Sequence, residues 1–197
     1  METRRKLRAL VARPGYTIVP GAYDPLMARL VEQAGFEAVY ITGGGISRSQ
    51  GYPDMGLLTL TENVQVLCRI VDAVGIPVIA DIDTGYGNAI NVIRSVREYE
   101  RAGVAAFHIE DQVAPKKCGH YEGKAVVSVG EMVGKIKAAV DTRRDPDLLV
   151  IARSDARAIE GLQRPSTGST PTSRRVQTSG SSRRRKATKS LPPCRPR

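Results

Sequence analysis

The chain has 197 residues, 41% of them hydrophobic and 25% charged, enough for one domain with a real core. No stretch approaches the ~18 consecutive apolar residues of a membrane span, and Met1–Leu10 is charged and lacks an apolar run, so neither an anchor nor a secretory leader is expected. Cys68, Cys118 and Cys194 are too few and too scattered for a disulfide framework or a zinc cluster and fit a reducing cytoplasm. The net charge of +10 has one source: residues 163–197 hold ten Lys and Arg and no acid, which leaves 20 basic and 20 acidic residues in the first 162.

In chain order, Tyr16–Pro20 reads as a strand. Pro25–Ala34 reads as a helix, with Leu26, Leu30 and Val31 on one face and Gly35 as its stop. Ala38–Thr42 is a second strand. The helix Thr61–Val74 follows, with Thr61 as its N-cap and Gly75-Ile76-Pro77 ending it. Val78–Asp81 is a third strand, Asn88–Ala102 a helix ended by Gly103, and Ala105–Ile109 a fourth strand. Ser128–Val140 is a helix and Leu148–Ala152 a fifth strand.

Continuous apolar strands with helical crossovers predict an α/β fold built on a parallel sheet. A doubly wound sheet and a barrel both satisfy the pattern. The polar residues favour the barrel. Asp24, Thr42–Gly45, Asp81–Gly87, Glu110–Gln112 and Arg153–Asp155 follow five different strands. Barrel sites are assembled in this way, whereas a doubly wound sheet concentrates its site at one switch point. A complete (β/α)8 TIM-type barrel runs to roughly 250 residues. Residues 1–162 therefore represent about the first five βα units. Residues 163–197 are too poor in large apolar side chains to offset their ordering entropy and are expected to be disordered.

Asp81 and Asp83 share one side of an extended segment. Paired carboxylates repel unless a cation or proton lies between them, and an oxygen-only donor set suits a hard ion such as Mg²⁺. Glu110 and Asp111 end the next strand and extend the set. Helix capping or pairing with arginine is the alternative use of such acids. In Lys116-Lys117-Cys118-Gly119-His120, flanking positive charge favours the thiolate, and a loop carrying an acid can close over a substrate; a solvated basic loop is the alternative. The glycines after Thr42 allow backbone N–H groups to approach an anion. Arg153 is a natural carboxylate partner or a structural salt bridge. His108, inside an apolar run, is either a packed core residue or part of the site floor, and Cys68 reads as packing.

Together the stretches ITGGG, GYPDMG, DIDTGYG, FHIEDQ, KKCGH and IARSDA, in this order and spacing over Tyr16 to Leu162, resemble the isocitrate lyase and phosphoenolpyruvate mutase superfamily. The resemblance implies a (β/α)8 barrel in a homotetramer that swaps helices between subunits. It implies Mg²⁺, with Mn²⁺ as a substitute, held by Asp81, with Asp54, Asp83 and Glu110 bonded mainly to its waters. Thr42, Gly43, Gly44 and Arg153 would bind a substrate carboxylate. Cys118, with Lys116 and His120 beside it, would protonate the departing carbanion. Phosphonate-forming mutases of the superfamily generally carry Asn at that position, so the cysteine favours a lyase acting on a small 2-hydroxy di- or tricarboxylate. GEMVGKIKAAVD and AIEGL resemble methylisocitrate lyases, whereas Tyr121-Glu122-Gly123-Lys124 resembles dimethylmalate lyases and carboxyphosphonoenolpyruvate mutases. A P–C mutase, an oxaloacetate decarboxylase and an inactive chain whose basic tail binds polyanions non-specifically are the other readings. No membrane partner is expected.

The family-like pattern stops at Leu162. Residues 163–179 can be back-translated so that a frame shifted by two bases encodes TAIDRLHAYVEAGADV, an amphipathic helix running into a strand start. The tail is accordingly expected to be an out-of-frame reading of further βα units. On that reading the chain as given leaves apolar strand edges unpaired, and is expected to aggregate and to be inactive, while a frame-restored gene yields an active lyase.

Overall fold

The computed structural model describes residues 2–119 and 121–156. His120, the tail and the proposed frame change after Leu162 lie outside the described residues. Five strands, β1 (Gly21–Ala22), β2 (Val39–Ile41), β3 (Val78–Asp81), β4 (Ala106–Glu110) and β5 (Leu149–Arg153), pair in parallel and in chain order. That order decides between the two architectures. A doubly wound sheet reverses direction at a switch point, whereas here every crossover advances the same way, as in a barrel wall.

The pleat separates two faces. Val39, Ile41, Val78, Ala80, Phe107, Ile109 and Val150 point outward into the main core. Helices α2 (Pro25–Gln33), α4 (Leu60–Ala73), α5 (Ala89–Ala102) and α6 (Val129–Thr142) cover that face, each packed on the next. The opposite, concave face carries Tyr40, Asp81, His108, Glu110 and Arg153 toward the C-terminal ends of the strands. Ile79, Ala106 and Leu149 line its lower part, where they join a second apolar cluster with Leu7 and Leu10.

Leu7 and Leu10 belong to α1 (Glu2–Ala12), a helix not foreseen in the sequence, where its charge masked a short apolar stripe. It closes the lower end of the sheet. Arg4 is only 7% exposed. Its guanidinium donates to the carbonyls of Val104 and Glu100, each at 2.9 Å, and to Asp145 at 2.8 Å. A buried cation is tolerable only when paired and hydrogen-bonded in this way.

Two other expectations are corrected. The first strand is Gly21–Ala22 rather than Tyr16–Pro20. The ladder starts when the Pro20 carbonyl accepts from Tyr40 N–H at 2.9 Å, and Tyr16 upstream is 90% exposed. Helix α4 is capped by Thr59, not Thr61, because Thr59 and Glu62 bond each other's backbone N–H in a capping box. Residues 43–49, to which the sequence reading assigns no element, form the short helix α3 (Gly43–Ser49) capped by Thr42. Three glycines oppose helix formation by about 1 kcal/mol each, so tertiary packing selects them. No helix among the described residues is long and apolar enough to cross a membrane.

Candidate functional site

The acidic segment 81–87 turns away from β3 through two non-glycine residues with left-handed backbone, Asp83 (φ 49°) and Tyr86 (φ 62°). Each costs on the order of 1–3 kcal/mol and persists only when its surroundings over-determine it. They do so here. Asp81 Oδ1 accepts from Asp83 N–H at 2.8 Å, and the Asp83 carbonyl accepts from Glu110 N–H at 2.9 Å. The Tyr86 hydroxyl meets that of Tyr99 at 2.8 Å. From α6 the buried Lys135 ammonium donates to the Thr84 carbonyl at 3.2 Å.

Register then builds the floor. Asp81 is level with His108, whose Nε2 lies 3.0 Å from Asp81 Oδ1. The Tyr40 hydroxyl reaches Asp81 Oδ2 at 3.2 Å and His108 Nδ1 at 3.1 Å. Tyr40 was not foreseen as a member of this cluster, whereas His108 takes the place in the site floor that one of its two sequence readings allowed. The available signal was their period-two alternation with Val39, Ile41, Phe107 and Ile109, which places them on the face of Asp81 and Glu110.

Glu110 lies level with Arg153, with 3.4 Å between Oε2 and the guanidinium. Burial pushes the Glu110 carboxyl up to about 7, against the lowering effect of Arg153. Asp83 is pushed up to about 6 by burial and by Asp81, although Lys116 opposes this. At Asp81 burial works in the same upward direction, but His108, Lys116 and the Asp83 N–H more than offset it, to about 2. Burial and the Asp81 charge hold the Tyr40 phenol protonated.

Lys116 projects into the cluster rather than beside the thiol. Its ammonium lies 2.5 Å from Asp54 Oδ1 and 2.8 Å from Asp83 Oδ1 with the side chain 7% exposed. Burial lowers its pKa, but Asp83 and Asp54 outweigh this and keep it charged. The expectation that both lysines flank the sulfur is corrected: buried carboxylates draw in Lys116, and Lys117 turns to the Gly123 carbonyl at 2.9 Å. The cation beside Cys118 is Arg48 of α3, 3.8 Å from Sγ, a residue whose role had no local sequence signal. Cys118 itself is buried, its N–H bonded to the Asp54 carbonyl at 3.1 Å.

Gly43 and Gly44 sit against these acids, with Thr42 capping their helix. A Cβ at Gly43 would stand 3.1 Å from Asp81 Oδ2, and one at Gly44 2.6 Å from Asp54 Oδ2. Gly43 and Gly44 thus make room for the carboxylates, and Gly45 for Thr42 and Tyr23, which explains their presence in a helix. Gly119 is equally constrained, since a Cβ there would lie 2.8 Å from Arg153 Nη2. The loop bearing Cys118 therefore touches the guanidinium at the end of β5.

The structure brings together Asp54, Asp81, Asp83, Glu110, Lys116, Cys118, Thr42, Gly43, Gly44 and Arg153; His120 lies outside the described residues. Among the described residues no group of three or more His, Cys, Asp or Glu stands at direct metal-ligand geometry. The donors nonetheless fit an ion that keeps most of its water. They are carboxylate oxygens, and Glu110 Oε1 is buried without a hydrogen-bond partner. Magnesium takes one or two carboxylates and retains several waters, which suits this set better than an all-protein cage would.

The sequence family described as phosphoenolpyruvate phosphomutase matches residues 7–177. The 2,3-dimethylmalate lyase of Eubacterium barkeri is 56% identical over 163 residues, 82% of this chain and 56% of that protein. The 2-methylisocitrate lyase of Aeropyrum pernix is 52% identical over 158 residues, 80% of this chain and 51% of that protein. A structure of phosphonopyruvate hydrolase with oxalate and Mg²⁺ superposes with a TM-score of 0.75 at 38% identity, covering 82% of this chain and 55% of that one. The chain spans about half the length of the curated relatives it matches. It belongs to the phosphoenolpyruvate mutase and isocitrate lyase superfamily.

Proposed function

We propose that the chain carries the acid- and metal-binding part of a Mg²⁺-dependent carbon–carbon lyase. Its substrate is a small 2-hydroxy di- or tricarboxylate of the dimethylmalate or methylisocitrate kind, split into a 2-oxo acid and a second carboxylate. The observation that supports this most is the place of Cys118, which hangs from the Asp54 carbonyl while its neighbour Gly119 lies against the Arg153 guanidinium.

The reaction needs three things. The substrate hydroxyl loses its proton, the C–C bonding pair passes to the departing fragment as the C=O of the 2-oxo acid forms, and that fragment takes up a proton. Cys118 is the proton donor for the last step; His120 is proposed beside it. A mutase that moves a phosphoryl group has no carbanion to protonate, so a thiol in this place favours the lyase. Arg153, with Thr42, Gly43 and Gly44, would orient substrate carboxylates, the guanidinium as a forked donor. Tyr40, kept protonated, is a hydrogen-bond donor on the floor. Asp81 would hold Mg²⁺ or Mn²⁺, with Asp54, Asp83 and Glu110 receiving its waters. When bound, the ion supplies Lewis-acid stabilisation of negative charge on substrate oxygens. A homotetramer belongs to the same proposal, and nucleic acid would be met only non-specifically through residues 163–197.

The test is Cys118→Ser in the product of the frame-restored gene. The variant is expected to bind Mg²⁺ and substrate as the parent does and to lose about 10²–10⁴-fold in kcat, the range of general acid catalysis. Parental kcat would remove Cys118 from the chemistry and return the mutase reading.

A further inference from the structure

We infer that Gln112 is the positioning residue that holds the Cys118 loop against the barrel. Residues 113–125 leave and rejoin the body through an antiparallel bridge between Gln112 and Val126. Val113 N–H bonds the Ala125 carbonyl and Val127 N–H the Asp111 carbonyl, both at 2.8 Å. From this stem the Gln112 side chain, on a residue 1% exposed, runs back into the loop. Its Oε1 accepts from Lys117 N–H at 2.9 Å, and its Nε2 donates to the Lys117 carbonyl at 3.0 Å and to Asp155 Oδ2 at 2.7 Å.

The amide orientation is dictated. A backbone carbonyl and a carboxylate demand donors, a backbone N–H demands an acceptor, and only a primary amide offers both in one plane. Gln112 thus pairs with Lys117 as a neighbouring strand would. The residues on either side of Lys117 are fixed from the other side of the site: Lys116 through its ammonium to Asp54 and Asp83, and Cys118 through its N–H to the Asp54 carbonyl. Asp155 also lies 3.6 Å from the Arg153 guanidinium. One buried amide therefore couples the segment carrying the acid to the strand end carrying the carboxylate-binding cation. Its catalytic meaning rests on the reading of Cys118 as proton donor; its positioning role does not.

The experiment compares iodoacetamide alkylation of Cys118 with that of Cys68 in the full chain by peptide mass spectrometry. Gln112→Leu and Gln112→Glu both remove the donors to Lys117 and Asp155, and the glutamate keeps an acceptor for Lys117 N–H. Loss of these bonds shifts the loop toward opening by about 10- to 100-fold. The Cys118 rate is expected to rise by that factor while Cys68 is unchanged, and kcat of the frame-restored enzyme to fall with KM held within about threefold. A folded variant with an unchanged Cys118-to-Cys68 ratio, or with both rates raised alike, overturns the proposal. Should neither variant fold, hydrogen exchange of the parent decides. A Lys117 amide as protected as the Val113 and Val127 amides supports the role, and one exchanging as fast as an exposed loop amide refutes it. A raised Cys118 rate with undiminished kcat would keep Gln112 as the loop's anchor and remove Cys118 as the acid.

Discussion

Replacing Lys116 by methionine separates the two cations that the carboxylate cluster can accept. The side chain keeps its unbranched stem, loses its terminal group and its charge, and so deprives Asp54 and Asp83 of the ammonium that lies 2.5 and 2.8 Å from them. Removing one partner of a buried ion pair costs about 3–5 kcal/mol, and in a domain of this size about 1 kcal/mol moves Tm by roughly 2–4 °C. Without divalent ions Lys116→Met should therefore melt about 6–20 °C below the parent. Millimolar Mg²⁺ should then raise its Tm more than it raises that of the parent, because the ion no longer competes with a tethered cation. Binding to the native state alone stabilises by mass action, so a tenfold tighter Kd adds about 1.4 kcal/mol at saturating Mg²⁺. Differential scanning fluorimetry across a Mg²⁺ series, with calorimetric titration for Kd, reads both effects. Equal Mg²⁺ increments in the two proteins, with equal Kd, would show that Lys116 and the ion do not share a site.

Two further expectations concern the lower end of the sheet. Arg4→Met should cost about 3–5 kcal/mol in urea denaturation, since it strands Asp145 and leaves the Val104 and Glu100 carbonyls unmatched; a loss below 1 kcal/mol would mean that α1 is not integral to the fold. Asp145 also predicts a pH effect. Burial tends to raise its carboxyl, but Arg4 and the Asp147 N–H more than offset this and hold it below the usual carboxylate range. A depressed folded-state pKa contributes stability that is present above the unfolded value near 3.9 and is lost as pH falls through the folded one. The urea midpoint should accordingly fall below about pH 4, and less so in Asp145→Asn; identical acid limbs would exclude Asp145 as a contributor.

Much of the fold could be read locally because strand and helix periods differ. Pro25–Gln33, Val78–Asp81 and Ala89–Ala102 fall within a residue or so of their expected limits, since apolar periodicity and glycine or proline stops act over a few residues. The misses have a common origin in contacts that are distant in sequence. Nothing local tells that glycines 43 and 44 must be helical, because the reason is the carboxylates of Asp81 and Asp54 behind them. Thr59 was passed over for Thr61 although its partner Glu62 stood in plain sight. The acids of 81–83 and 110 were identifiable by type and spacing, and strand register brings them together. Lys116 could be seen, but its direction could not, because the charge that draws it in comes from Asp54 and Asp83 on other segments. Arg48 and Gln112 had only residue type to speak for them, and their roles depend on where residues 113–125 come to rest.

The direct measurement of the central claim is NMR-followed conversion of 2,3-dimethylmalate and 2-methylisocitrate by the product of the frame-restored gene, with Mg²⁺ and with EDTA, alongside phosphonopyruvate. Cleavage of either hydroxy acid to pyruvate and the matching carboxylate, abolished by EDTA and in Asp81→Ala, is the predicted result. Rearrangement or hydrolysis of the phosphonate without C–C cleavage, or cleavage indifferent to EDTA and to Asp81, would contradict it.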